Sequence, residues 1–172
     1  MKIIKNALSK EEFLKIQKLL ESDEIPWYYN KEQVEKKDVK QVYDGYTSDN
    51  ESYFSHQFYF NDMPSSPFYT NILPLINFIK PISLINVRAN LNVNKNRVNF
   101  SGWHRDMYRN YKFNHNTAIF YINTNNGYTE LKNNRKINSE DNKLLIFDSK
   151  ELHRAHQQTD TDRRIVINLN YF

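Results

Sequence analysis

From residue 82 onward, the chain is divided into short extended segments that are separated by turn-forming residues. Four of these segments are apparent, over residues 82–93, 116–123, 143–147 and 163–172. A fifth, over residues 128–132, follows the turn signal Asn125-Asn126-Gly127. Short segments at this spacing are typical of a β-sandwich or a small β-barrel. The C-terminal half is therefore expected to be a layered β-structure.

Two helices are predicted before these strands. A capping box at Ser9, followed by apolar residues at helical spacing, predicts a helix over residues 9–22. Ser66-Pro67 has the cap and first-turn signature of a second helix, over residues 66–80. Helices followed by many strands indicate an α+β protein with the helices packed on the outer face of one sheet.

At 172 residues, the chain has the length of a single domain. Residues 1–81 are expected to form a helical support and residues 82–172 the β-core. Residues 30–60 are largely polar and are predicted to close over a site as a lid, although the aromatic stretch 53–60 also fits a strand.

Composition excludes several classes of protein. The sequence contains no Cys, which excludes cysteine nucleophiles, zinc ribbons and iron–sulfur clusters. No apolar run is long enough to span a bilayer, and the N-terminal apolar patch is too short for a signal peptide. We expect an intracellular, cytoplasmic protein.

The triplet His104-Arg105-Asp106 is the first candidate for chemistry. Residues i and i+2 of an extended strand share a face, so His104 and Asp106 can chelate one ion while Arg105 points away. A third ligand from a distant strand would complete a two-His, one-carboxylate facial triad, which is typical of non-haem Fe(II) oxygenases. His153 and His156 both lie further along the chain, and one of the two is expected to be a surface loop histidine.

These residues resemble the 2-oxoglutarate/Fe(II)-dependent dioxygenase superfamily, nearest its prolyl-4-hydroxylase-like branch. The family pattern is H-x-D, some tens of residues, a His, and roughly ten residues to an Arg or Lys. Here it falls on His104, Asp106, His153 and Arg164. His153 is preferred to His156 because eleven residues then separate it from Arg164, rather than eight. The resemblance covers residues 82–172 and implies a double-stranded β-helix, or jelly roll.

The resemblance also implies an activity. His104, Asp106 and His153 would hold Fe(II), and Arg164 would clamp the far carboxylate of the co-substrate 2-oxoglutarate, with dioxygen as the oxidant. Because Asp106 is present where halogenating relatives have a small residue, hydroxylation is the expected outcome. The branch suggests a peptide substrate, and a small molecule is the other expectation.

The last strand predicts which arginine faces the metal. Its odd positions, Ile165 and Ile167, are apolar, whereas the even set that begins with Arg164 is mostly polar. The apolar face suits a cover of helices. Arg164 is therefore expected inside the barrel, and Arg163 outside, near Asp160 or Asp162.

A second anchor for the co-substrate is expected on a neighbouring strand. Asn90, Thr117 and Tyr121 are candidates, of which Asn90 and Tyr121 are preferred. Relatives often carry Tyr near the position of Leu91, where this sequence departs from them.

Residues that flank the triplet in sequence, Trp103, Tyr108 and Tyr111, are predicted to line the substrate mouth. His56 and His115 lack any metal-binding context and are interpreted as surface or packing residues.

Three other functions remain open at this point. The first is a non-catalytic jelly-roll binding module, which has no need for an inward Arg beside the triad. The second is a zinc hydrolase, against which the lack of a nearby general-base Glu counts. The third is a nucleic-acid-modifying oxygenase. Net charge is +4, but Lys and Arg are interspersed with Asp and Glu, so we expect no nucleic-acid partner.

Overall fold

The computed structural model describes residues 1–31, 52–106 and 114–172, which form two antiparallel β-sheets and a small helical layer. The strands are β1 (Lys2–Ile4), β2 (Tyr28–Asn30), β3 (Tyr53–Phe60), β4 (Met63–Pro64), β5 (Leu84–Val93), β6 (Asn116–Tyr121), β7 (Tyr128–Leu131), β8 (Arg135–Asn138), β9 (Lys143–Asp148), β10 (His153–His156) and β11 (Arg163–Tyr171). The helices are α1 (Lys10–Glu21) and α2 (Leu73–Ile79), the latter preceded by a 3₁₀ turn, Pro67–Ile72.

The larger sheet has the order β1-β9-β6-β11-β5-β3-β2, with β4 paired to β3. The smaller sheet has the order β10-β7-β8. Neighbours in the larger sheet are distant in sequence, as in β11 between β5 and β6, which is the pattern of a jelly roll rather than of a simple meander. The predicted double-stranded β-helix is confirmed.

Helix α1 begins as its sequence predicts. The Ser9 hydroxyl accepts a hydrogen bond from the Glu12 backbone N–H, and the Glu12 carboxylate accepts one from Ser9 N–H. Phe13, Ile16 and Leu20 recur at helical spacing and are buried. Their burial attaches α1 to the sheet, because an isolated helix of this length is marginal in water.

The second predicted helix is divided into a 3₁₀ turn and an α-helix, just before Pro74. Ser66 caps the 3₁₀ turn by accepting a hydrogen bond from Phe68 N–H, and the α-helix itself starts only at Leu73. Proline has no N–H to donate, so it fits the first turn of a helix but not its interior. The chain therefore restarts its helix around Pro74 instead of kinking one continuous helix.

Alternation along β11 separates the core from the barrel interior. Ile165, Ile167 and Leu169 are fully buried in the same apolar cluster as the helix residues Phe13 and Ile16. The helices therefore cover the outer face of the larger sheet, as predicted. The even positions point the other way, into the space between the two sheets.

Strands β1–β4 come from the first 81 residues and join the larger sheet. The proposed division of the domain at residue 81 stays a prediction. Strands β1, β8 and β10 were not predicted, because each is short and carries little apolar alternation. Within the described residues, no helix has the length and apolarity needed to cross a membrane.

Candidate metal centre and co-substrate pocket

Backbone hydrogen bonds join two residues of the predicted metal triad. His104 and His153 form an isolated antiparallel bridge, in which each backbone N–H donates to the other's carbonyl at 3.0 Å. Their ring centroids lie 4.3 Å apart. Two histidines that are distant in sequence are thus held side by side by the backbone.

Asp106 completes the cluster. One carboxylate oxygen lies 3.6 Å from His104 Nε2, and the other lies 3.6 Å from His153 Nε2. One ligand atom from each of the three residues lies within 4.8 Å of the others. The sequence-based choice of His104, Asp106 and His153 therefore falls on three side chains that the fold brings together.

Hydrogen bonds orient both imidazoles. His104 Nδ1 lies 2.9 Å from the Gly102 carbonyl oxygen, and His153 Nδ1 lies 3.4 Å from that of Glu151. A carbonyl can only accept, so each Nδ1 carries the proton and each Nε2 keeps its lone pair for a metal.

Protonation states also suit a metal centre. Burial works to raise the pKa of Asp106, but the neighbouring His153, His104 and Arg88 side chains outweigh it and lower the pKa. For His153, burial favours the neutral imidazole and lowers the pKa to about 4. One ionised carboxylate beside a neutral imidazole is the donor set that a divalent cation requires.

Arg164 lies in the same pocket and is 2% exposed. Its Nε donates to Ser139 Oγ at 2.9 Å, and one terminal nitrogen reaches Thr129 Oγ1 at 3.4 Å. No carboxylate of the described residues pairs with it, and burial lowers the pKa of its guanidinium. A buried cation without a counterion is costly, so the site favours an anionic ligand.

The Asn-Gly turn before β7 makes room for this arginine. A Cβ at Gly127 would lie 2.9 Å from Arg164 Cδ and 2.9 Å from the His156 carbonyl oxygen. Such contacts are too short for a real side chain, so glycine permits the close approach of the turn to Arg164.

The pocket between the sheets opens to solvent, and its empty space, open solvent included, is about 540 Å³. It is lined by Tyr53, Arg88, Asn90, Asn92, His104, Asp106, Ile119, Thr129, His153, Ala155, Arg164, Val166 and Asn168. The buried Asn90 Oδ1 has no hydrogen-bond partner. The interior therefore offers polar groups that only a bound molecule or water can satisfy.

The other co-substrate candidates take different positions. Asn90 lines the pocket, whereas Tyr121 lies behind it, with its hydroxyl donating to Thr129 Oγ1 at 2.8 Å. The Arg164 guanidinium lies 5.7 Å from the centre of the Tyr121 ring. Thr117 is buried outside the lining, and Leu91 packs against the core on the opposite face of its strand.

His156 is not a loop histidine, contrary to the prediction. It lies in β10, with its Nε2 2.7 Å from Glu130 Oε2 and its ring stacked on Tyr128 at 4.0 Å. Residues three apart on a strand face opposite sides, so His156 points away from the pocket that His153 enters. His56 and His115 are buried, in agreement with the packing interpretation.

The residues predicted to form the mouth are only partly described. Trp103 does not line the pocket, and its ring lies 4.5 Å from the Arg154 guanidinium on the outer side of β10. Tyr108 and Tyr111 lie outside the described residues. Arg163 is exposed, on the opposite face from Arg164.

The predicted lid is corrected in part. Residues 53–60 form strand β3 within the larger sheet, because their aromatic side chains pack into it. Residues 32–51 lie outside the described part of the chain.

Sequence reasoning did not name Arg88, Asn168, Thr129 or Ser139 as residues of the pocket or its support. Asn168 belongs to the even set of the last strand that begins with Arg164. The same parity argument on β5 would have found Arg88, which shares the inward face of that strand with Asn90. Thr129 lies in the predicted segment 128–132, but no local pattern indicates that Thr129 and Ser139 contact Arg164.

Comparison with known proteins identifies the fold. No protein-family model matches the sequence, and no curated protein has a matching sequence. Among solved structures, an oxidoreductase of the 2OG-Fe(II) oxygenase family from Burkholderia pseudomallei is similar, with a TM-score of 0.69 and 11% identity over 98% of this chain and 84% of that one.

Two further structures cover nearly the whole chain. A prolyl hydroxylase from Trichoplax adhaerens, in complex with a hypoxia-inducible factor peptide, has a TM-score of 0.64 and 14% identity over 99% of this chain and 82% of that one. The non-haem α-ketoglutarate-dependent epimerase SnoN of nogalamycin biosynthesis has a TM-score of 0.62 and 12% identity, over 99% and 76%. The chain has the fold of the 2-oxoglutarate/Fe(II) oxygenases, including their prolyl-hydroxylase-like members, which confirms the predicted resemblance at the level of the fold.

Proposed function

We propose that this protein is an Fe(II)- and 2-oxoglutarate-dependent dioxygenase that hydroxylates a peptide or small-molecule substrate. One observation carries the proposal: the buried Arg164, without a carboxylate partner among the described residues, shares a pocket with His104, Asp106 and His153. A buried guanidinium without a carboxylate partner can bind the far carboxylate of 2-oxoglutarate, and the three ligand side chains can bind the metal. These two groups are the two ends of a 2-oxoglutarate site.

Each residue then has a task. His104, Asp106 and His153 would hold the metal. Arg164 binds the far carboxylate of 2-oxoglutarate, with its position fixed by Ser139. When bound, Fe(II) with 2-oxoglutarate supplies the oxidising chemistry, in which dioxygen is consumed and succinate and carbon dioxide are released.

The second anchor is proposed on the wall beside Arg164. Asn90 is favoured because it lines the pocket with an unpartnered Oδ1 and is paired across the strands with Val166, two residues beyond Arg164. Tyr121 is proposed to act through Thr129, whose hydroxyl it holds within reach of the guanidinium.

The competing functions receive less support. A binding module would have no use for a buried, unpaired guanidinium opposite three metal-ligand atoms. SnoN, as an epimerase, shows that this fold does not fix the reaction, and hydroxylation is proposed because Asp106 occupies the third ligand position.

A peptide substrate gains support from the peptide-bound prolyl hydroxylase. The cytoplasmic location stays a prediction.

Anaerobic titration of the metal-free protein with Fe(II) and then 2-oxoglutarate tests the proposal. We expect one Fe(II) per chain and a weak visible charge-transfer band when 2-oxoglutarate chelates it, followed by succinate release in air. Stoichiometric Zn(II) binding without any response to 2-oxoglutarate would favour the hydrolase instead. Tight, salt-sensitive oligonucleotide binding that stimulates succinate release would favour the nucleic-acid-modifying oxygenase.

A further inference from the structure

Arg88 is a second guanidinium in the same pocket. Its Nε is buried without a hydrogen-bond partner, and no carboxylate oxygen of the described residues is within ion-pair distance of it. Its Cζ lies 5.7 Å from the centre of the Tyr53 ring, which holds the group against the pocket wall. The proposed oxygenase chemistry gives this arginine no task.

Arg88 lies at the metal end of the pocket, away from Arg164. On β5, Asn92 is paired with Arg164 and Arg88 with Asn168. Four residues along a strand correspond to about 13 Å. Asn168 in turn donates to Asp106 Oδ2 at 3.3 Å. The Arg88 side chain therefore stands beside the carboxylate of the metal cluster, where a molecule other than the co-substrate would approach.

When the charges of the site are paired, one cation is left without a counterion. If the proposed function holds, one carboxylate of 2-oxoglutarate pairs with Arg164, and the other, with Asp106, offsets the charge of Fe(II). Arg88 then remains the only uncompensated cation among the described residues that line the pocket. A guanidinium pairs with a carboxylate through two parallel hydrogen bonds, and its single positive charge equals the carboxylate's single negative charge.

We propose that Arg88 binds a carboxylate of the prime substrate and thereby places a neighbouring carbon at the metal. The unpartnered Oδ1 atoms of Asn90 and Asn168 provide acceptors for a hydrogen-bond donor on the same molecule. The substrate class is a carboxylic acid with an adjacent donor group, either as a free acid or as an acidic side chain of a peptide. This inference rests on the proposed function.

The test observes the Arg Nε–H groups by ¹⁵N NMR in protein loaded with Zn(II), which is redox-inert, and with saturating 2-oxoglutarate. Propionate is the probe, and propionamide is its neutral counterpart. We expect propionate to shift the Arg88 signal in a saturable manner, in the range up to roughly 100 mM, and propionamide to leave it unchanged. Absence of saturable propionate binding in that range would overturn the inference.

Variants separate Arg88 from its neighbours. Because Arg88 variants lack the Arg88 signal, propionate binding to them is followed through the side-chain amide signals of Asn90 and Asn168, which line the same pocket. Arg88→Gln should weaken propionate binding by on the order of tenfold or more, whereas the exposed control Arg163→Gln should leave it unchanged. Arg88→Lys, which keeps the charge but not the fork, should retain part of the binding. Equal propionate affinity in wild type and Arg88→Gln would contradict the proposal. If Arg88→Gln fails to fold, Arg88→Lys and the comparison of propionate with propionamide still decide.

A turnover assay with the Fe(II) protein distinguishes the two sources of the carboxylate. Free amino acids are compared with their α-carboxamides as stimulants of succinate release. Peptides with blocked termini that contain Asp or Glu are compared with the same peptides that contain Asn or Gln. Stimulation by acids but not by amides supports the proposal, and equal stimulation by both overturns it. If Zn(II) and 2-oxoglutarate bind but propionate does not, only the Arg88 inference fails. If neither binds, the proposed function fails and takes this inference with it.

Discussion

The two faces of the barrel wall differ in what their residues contribute. On β11, Ile165 and Ile167 are buried against the helices, whereas Arg164 and Asn168 line the pocket. On β10, His153 enters the pocket, and His156 binds Glu130 on the outer side.

The comparison shows that core packing and pocket lining are separated by the alternation of a strand, not by distance along the chain. Adjacent residues on one strand belong to different tasks, because successive side chains point to opposite faces. Substitutions at neighbouring positions should therefore have effects of different kinds, and this difference can be measured.

The largest expected difference is between the two histidines of β10. His153→Ala should abolish stoichiometric Fe(II) binding, because it removes one of three protein ligands, while His156→Ala should retain it. Metal content after dialysis and circular dichroism of each variant provide the measurement. Retained metal in His153→Ala together with loss in His156→Ala would reverse the assignment of the two faces.

Next in size is the apolar face of β11. Ile167→Ala should lower the free energy of unfolding by about 2 to 5 kcal/mol, because it leaves a cavity in the cluster shared with the helices. Denaturant titration measures this loss. The affinity of the folded variant for 2-oxoglutarate should be unchanged, and a large fall in that affinity would show that the two faces are not independent.

The two adjacent arginines provide the third comparison. Arg164→Ala should weaken 2-oxoglutarate binding by on the order of a hundredfold, because a desolvated bidentate partner is lost. Arg163→Ala should change it little, since that side chain is exposed. Calorimetric titration of the Zn(II)-loaded proteins measures both. Equal affinities in wild type and Arg164→Ala would refute the proposed role of Arg164 in binding 2-oxoglutarate.

The smallest effect is expected behind the pocket. Tyr121→Phe removes the hydrogen bond to Thr129 and should lower the free energy of unfolding by about 1 kcal/mol, with a change in 2-oxoglutarate affinity of only a few fold. Thermal and calorimetric measurements on one preparation provide both values. A loss as large as that of Arg164→Ala would make Tyr121 a direct ligand of the co-substrate.

The sequence predicted the parts of the site that follow from local periodicity. Alternation in the last strand correctly separated Arg164 from Arg163, and i, i+2 spacing paired His104 with Asp106. Strand β10 was missed because its sequence, His-Arg-Ala-His, has no apolar alternation, and its extended form depends on pairing with β7. Without that strand, the opposite orientation of His156 could not be inferred.

On the outer side of β10, the contacts of Arg154 depend on pairs of residues that no local sequence pattern indicates. Arg154 donates to Glu130 at 2.8 Å and stands over the rings of Phe100 and Trp103. Arg154 and these partners come from three separate stretches of chain, so only the folded protein brings them together.

The bridge between His104 and His153 has a consequence for the order of assembly. Because two backbone hydrogen bonds join the residues, closing the smaller sheet already places both imidazoles side by side. The backbone entropy of these two residues is lost during folding. Metal binding would then require little further ordering of the chain. We therefore expect the metal-free protein to keep the two imidazoles side by side.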